Sequence, residues 1–129
     1  MHEPSPEQDF VARQIVDSAF AVHTATGPGL LESVYHDFLA CELAHRGIPF
    51  RREVSVPTHY RQFKVETGFR MDLVVQDLVV VELKAVEQIL PVHLAQLDTY
   101  LKLSGLELGL LINFKVPLIK QGIRRRIRT

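Results

Sequence analysis

Three charged side chains interrupt runs that are otherwise apolar. Asp72 stands in "MDLVV", residues 71–75, and Glu82 and Lys84 stand two apart in "VVVELKAV", residues 79–86. Side chains alternate along a strand, so Glu82 and Lys84 would project from one face while Val81 and Leu83 project from the other. A solvated edge strand would explain such a couple plainly, since a surface Glu/Lys pair contributes little. Asp72 weakens that explanation, because the neighbouring strand then carries an unexpected charge as well. If Val75 pairs with Val79 across a three-residue loop, Asp72 lies opposite Glu82 and two carboxylates adjoin. Like charges so placed destabilise a sheet unless something neutralises them, and a hard divalent cation with oxygen ligands does so directly. Mg²⁺ takes one or two carboxylates together with waters and phosphate oxygens, and a nearby ammonium could hold the attacking water or stabilise charge on the phosphate. The chemistry open to this trio is metal-assisted phosphodiester hydrolysis.

Register decides whether the trio can meet. A two-residue hairpin at Gln76-Asp77 would slip the pairing by one and turn the two carboxylates to opposite faces. The spacing therefore requires a three-residue connection, or a bulge of equivalent effect.

The elements that must hold these residues can be read from periodicity. Residues 6–27 form a helix with Phe10, Ile15, Ala19 and Val22 near one side and Gly27 at its end. In "LLESVYHDFLACELAHRG" Leu31, Val34, Tyr35, Phe38, Leu39 and Leu43 recur at helical spacing, with Gly47 and Pro49 marking the stop. Tyr35 is expected in the core, and so is the single cysteine, Cys41. "FRREVSVPTHY" and "ETGFRMDLVVQ" are expected strands separated by the turn "RQFK", and "LVVVELKAV" adds a third to this meander. "LPVHLAQLDTYLKLSG" returns to helical spacing, with Leu90, Leu94, Leu97 and Leu101 on a stripe and Gly105 at the exit. "LELGLLINF" is a strand, and "LIKQGIRRRI" adds an edge strand. The expectation is one α/β domain over residues 1–129, a single sheet with helices packed against it.

Composition narrows the function classes. With 129 residues, 47% of them hydrophobic, the chain can form a core without disulfides or a structural metal. Lys+Arg and Asp+Glu both number 15, so no global positive field marks a nucleic-acid binder. The basic residues are nevertheless concentrated from Lys115 onward, where six occur without an acid, and Arg124, Arg125, Arg126 and Arg128 are expected to contact phosphates. One cysteine allows no internal disulfide, and the N-terminus shows no basic segment followed by an apolar one. A cytoplasmic protein without membrane association is expected. The histidines have no zinc-site spacing and no Walker-type phosphate loop occurs.

With these residues in view, the chain resembles the PD-(D/E)XK nuclease superfamily, and within it the small bacterial proteins named for a GxxExxY motif. That motif is "GLLESVY" here, Gly29, Glu32 and Tyr35, and the likeness continues through "RMDLVV", "VVELKAV", "PVHLAQLDTYLKLSG" and "GLLINF", covering residues 10–127. Met71 replaces the proline of the superfamily signature. The resemblance implies a restriction-endonuclease-like core, a mixed sheet flanked by helices. It implies that Asp72, Glu82 and Glu32 are acidic metal residues for Mg²⁺ or Mn²⁺, that Lys84 is the catalytic lysine, and that Gln96 and Tyr100 match a "QxxxY" on the following helix. On the residues alone, Glu32 would equally suit the dipole at a helix N-terminus. Gln96 and Tyr100 lie on one helical flank with His93 a turn earlier, where a solvated strip or a capping role for His93 is the plain alternative.

The expected function is a metal-dependent nuclease acting on DNA or RNA. The alternatives are a non-catalytic nucleic-acid-binding or protein-interaction module on the same fold, and a structural subunit whose charges serve an interface. A homodimer is a further expectation, because so small a chain offers limited surface for a duplex, which needs ~1,000 Å² or more.

Overall fold

The first helix, α1 (Pro6–Thr26), starts from a reciprocal cap. The Ser5 hydroxyl accepts from the Gln8 N–H at 3.1 Å, and the Gln8 side chain accepts from the Ser5 N–H at 2.8 Å. Val11, Ile15, Ala19 and Val22 form its buried stripe, and it ends at Gly27, where φ is +75°. The second helix, α2 (Glu32–His45), has no side-chain cap on its first turn. Tyr35 fixes its entry instead. The fully buried ring stacks on Phe114 at 4.4 Å, while the hydroxyl donates to the Gly27 carbonyl and accepts from the Leu30 N–H. Two backbone groups of the α1–α2 loop thus find partners in the interior, and the start of α2 is held against the sheet. The structure, a computed structural model, describes residues 3–128, so Met1 and His2 of the N-terminal lead and Thr129 of the basic tail lie outside the described residues.

Five strands follow in sheet order: β1 (Phe50–Tyr60), β2 (Phe63–Val75), β3 (Val79–Lys84), β4 (Leu108–Asn113) and β5 (Ile123–Ile127). β1, β2 and β3 form the antiparallel meander. A third helix, α3 (Pro91–Ser104), carries the chain across the sheet so that β4 lies parallel to β3. β5 returns antiparallel to β4 after the 3₁₀ turn Ile119–Gly122. β3 and β4 are buried on both faces, which is why they read as near-continuous apolar runs. On one face Leu73, Val75, Val79, Val81 and Leu83 meet α1 and α2; on the other Val74, Val80 and Leu111 meet Leu97, Tyr100 and Leu101 of α3. α3 lies close to β4 because Gly109 leaves room: a Cβ there would sit 2.8 Å from Cδ1 of Leu97.

The β2–β3 connection has three residues, 76–78. Gln76 and Asp77 take left-handed φ of +57° and +54°, the Leu78 N–H donates to the Val75 carbonyl at 3.0 Å, and Val75 pairs with Val79. This is the register that brings Asp72 and Glu82 level.

Several expectations are corrected by packing. Phe10 is 53% exposed, because the α1 stripe runs through Val11 and Ile15 and leaves its neighbour outside. Cys41 is exposed, since Leu39, Ala40 and Leu43 take the buried side of α2. Leu31, Phe38 and Leu90 are also exposed, as residues at helix entries or on the flank of the stripe. The basic tail is not one patch. Strand alternation in β5 sends Arg125 toward Asp9 of α1 and Arg126 toward Asp98 of α3, and Arg128 donates to the carbonyls of Gly105 and Leu106 beyond the end of α3. These arginines tie the edge strand to both helical layers.

Replacing Tyr35 by Phe keeps the ring stack and strands the Leu30 N–H and the Gly27 carbonyl. Urea unfolding should show a loss of about 1–3 kcal/mol.

Candidate active site

Backbone pairing between β2 and β3 runs from Val75–Val79 to Leu73–Val81 and stops there. One step further the ladder is replaced by side chains. The Asp72 N–H donates to Oε1 of Glu82 at 3.0 Å, and the Leu83 N–H donates to Oδ2 of Asp72 at 2.8 Å. Each carboxylate takes the place of a backbone acceptor on the facing strand. The distortion extends along β2: in a regular strand Met71 and Leu73 would share a face, yet Met71 packs in the α3-side core and Leu73 in the other. Across β1 it meets Glu53, which has a φ of +51° and lies between the paired residues Arg52 and Val54. The two acids therefore meet at a break in the sheet, flanked by α2 on one side and α3 on the other.

Electrostatics make this pair unstable as two anions. Glu82 is 4% exposed, and its carboxyl is pushed up to about 9, first by burial and next by the charge of Asp72. The N–H of Asp72 and the charge of Lys84 pull in the opposite direction without prevailing. At an effective dielectric of about 20, two unit charges ~4 Å apart repel by about 4 kcal/mol. The two hydrogen bonds to the carboxylates, at about 1.5–3 kcal/mol each, offset that repulsion but not the larger cost of burying the Glu82 charge, so a proton or a cation decides the state of the pair. Tyr100 reports the same field: its hydroxyl is raised to about 12 by burial and then by Glu82 and Asp72, and its ring stacks on Phe69 at 4.6 Å.

The remaining residues singled out from the sequence take different places. Lys84 is half-buried at the end of β3, two residues beyond Glu82, and forms no ion pair among the described residues. Glu32 opens α2 with its side chain 47% exposed, and an imidazole separates it from the acids: His36 Nε2 lies 3.6 Å from Oε2 of Glu32 and 3.6 Å from Oδ2 of Asp72. Gln96 is exposed on α3, and His93 Nδ1 accepts from the Leu90 N–H at 3.0 Å as a helix cap. Two residues of the site are not singled out by sequence pattern. His36 stands four residues after Glu32, a spacing that places both on one flank of α2. Asn113, 1% exposed and level with Lys84 on β4, clamps Val86 with both ends of its amide, at 2.9 and 3.0 Å. That clamp fixes the chain where it leaves β3 beyond Lys84.

The family model described as the PD-(D/E)XK nuclease superfamily matches residues 9–126. The chain belongs to the PD-(D/E)XK nuclease superfamily. No curated protein and no solved structure matches it significantly. The mixed five-stranded sheet with helices on both faces is the restriction-endonuclease-like core of this superfamily, whose nucleases generally use divalent metal ions such as Mg²⁺. The donor set fits such an ion. Among the described residues no three His, Cys, Asp or Glu side chains form a ligating group, so two carboxylates with water and substrate oxygens are what the site offers a metal. One oxygen of each carboxylate, Oδ1 of Asp72 and Oε2 of Glu82, is left free by the backbone donors.

The raised Glu82 carboxyl has a signed consequence. Between 4.5, its ordinary value, and about 9, the metal-free folded chain holds a proton that the unfolded chain has released. Stability therefore falls as pH rises through that window and levels off above it. Glu82→Gln should flatten the dependence and raise the melting temperature of the metal-free protein most at the alkaline end. Parallel melting curves of the two proteins between pH 5 and 9 would refute the assignment.

Proposed function

We propose that this chain is a metal-dependent nuclease that hydrolyses phosphodiester bonds of DNA or RNA, of the kind that carries a GxxExxY motif. The observation that carries the reading is the interlocked pair Asp72 and Glu82 at the break between β2 and β3, with Lys84 two residues away on the same strand. A structural ion pair would join opposite charges, whereas here two acids are brought together in a place where only a proton or a cation can stabilise them. When bound, Mg²⁺ or Mn²⁺ would supply Lewis-acid activation of the phosphate and a more acidic water.

The chain's own residues do the rest. Asp72 and Glu82 hold the ion with the oxygens that the backbone leaves free. Lys84 stabilises charge on the phosphate or positions the attacking water. Glu32 acts on Asp72 through His36, supporting the ligand's orientation as outer-shell partners do. Tyr100, held protonated by its surroundings, keeps a hydroxyl proton to donate from the α3 side, and Gln96, exposed on the same helix, would meet substrate at the rim. Pairing of two copies would widen the grip on a nucleic acid beyond what one chain offers.

Single-stranded and duplex DNA and RNA, incubated with Mg²⁺ and with Mn²⁺, test this directly. Wild-type protein should cleave at least one of them. Lys84→Ala should slow the reaction by about 10²- to 10³-fold, and Asp72→Asn should abolish both cleavage and metal binding. Nucleic-acid binding without turnover on any substrate would favour a non-catalytic binding module.

A further inference from the structure

The outer half of the β1–β2 hairpin projects past the helices that cover the rest of the sheet. Its last cross-strand pairs are Thr58–Val65, His59–Lys64 and Tyr60–Phe63. Pairs alternate between faces, so Tyr60, Phe63 and Val65 share one face while His59 and Lys64 occupy the other. That shared face is uncovered: Tyr60 is 72%, Phe63 70% and Val65 55% exposed. An isolated two-stranded ribbon is marginal in water, and two exposed aromatic rings at its tip gain nothing for the free chain.

The ribbon is also shaped deliberately. Its register slips between Val56 and Thr58, and Gly68 accommodates Thr58 at that point, where a Cβ would come 1.9 Å from Thr58 Oγ1. Bulges of this kind bend a strand and re-aim what lies beyond. β2 continues through this bulge from Phe63 to Asp72, so the aromatic tip and the acidic pair are joined by one strand. The bulge adds two residues to β2, so the separation follows from β1, where seven residues at ~3.3 Å each from Tyr60 to Glu53, level with Asp72, put them ~23 Å apart.

Charge selects among the occupants of such a face. Residues 57–70 carry Arg61, Lys64 and Arg70 against one acid, Glu66, which is paired with Lys64 at 3.2 Å. The Arg61 guanidinium lies 5.6 Å from the centre of the Tyr60 ring. A second copy of the ribbon would bring like charge against like charge. A polyanion would be attracted, and one with unpaired bases would also offer flat π-faces for the two rings. Duplex bases are already stacked on one another and offer only their edges.

We propose that Tyr60 and Phe63, with Arg61 beside them, form a stacking platform for a single-stranded segment of the nucleic acid, at a distance from the bond cleaved at Asp72 and Glu82. The inference rests on the nuclease reading and adds a substrate class to it: strands with an unpaired stretch reaching from the site to the tip of the ribbon.

The test is fluorescence anisotropy in EDTA, so that no cleavage occurs, with a labelled 20-nucleotide single strand and the blunt duplex of the same sequence. The Tyr60→Ala/Phe63→Ala double variant should bind the single strand about 10- to 100-fold more weakly, with less than about a threefold change on the duplex. Tyr60→Trp should retain single-strand affinity, which separates loss of stacking from damage to the fold. Unchanged single-strand affinity, or equal losses on both oligonucleotides, overturns the proposal alone. A wild-type dimer that the double variant converts to monomer, with single-strand affinity intact, would assign the face to a second copy. Failure of the wild type to bind either oligonucleotide overturns the proposal together with the nucleic-acid reading on which it rests.

Discussion

The structure turns on one exchange of hydrogen bonds. At the level of Asp72 and Glu82 the β2–β3 ladder ends, and each carboxylate accepts an N–H from the facing strand. This keeps the backbone donors satisfied while the strands part, which is the condition for opening a sheet near its centre without a large penalty. It also forces two acids together in a nearly dry place. The same hydrogen bonds that hold the carboxylates in position leave one oxygen of each unused by the backbone.

The scaffold serves to hold that break open and no wider. Leu73, Val75, Val79 and Val81 anchor the two strands against α1 and α2 directly behind it, and Tyr100 closes it from α3. Beyond Lys84, Asn113 secures the departing chain, so the lysine stands between two fixed points. Tyr35 plays the corresponding part for α2, setting the helix start from which Glu32 and His36 approach Asp72. The tyrosine of the GxxExxY pattern thus acts through packing, whereas its glutamate stands beside His36 at the rim of the acidic pair.

Much of this was legible in the sequence because it depends on alternation. Charges inside apolar runs exposed Asp72, Glu82 and Lys84, and counting residues around the hairpin gave their register, which the left-handed turn at Gln76 and Asp77 realises. The parting of the strands was not legible, because a break in a ladder leaves no periodic trace when side chains replace the missing acceptors. His36 carries no signal in the sequence for a related reason. A histidine on a helix surface looks solvated until tertiary packing sets a carboxylate beside it. The partners of the β5 arginines were not legible either: contiguous in sequence, Arg125 and Arg126 are divided by strand alternation between two helices, each of which supplies an acid. Cys41 and Phe10 show the limit of reading a helical stripe, where a shift of one residue carries an apolar side chain from core to surface.

On the proposed reading Glu82, protonated in the metal-free protein, gives up its proton to become a metal ligand. Calorimetric titration with Mn²⁺ at pH 7, repeated in two buffers of different ionisation enthalpy, counts the protons released on binding. With the Glu82 carboxyl raised to about 9, each ion bound should release about one proton. Binding without proton release, or no binding at millimolar Mn²⁺, would contradict the account.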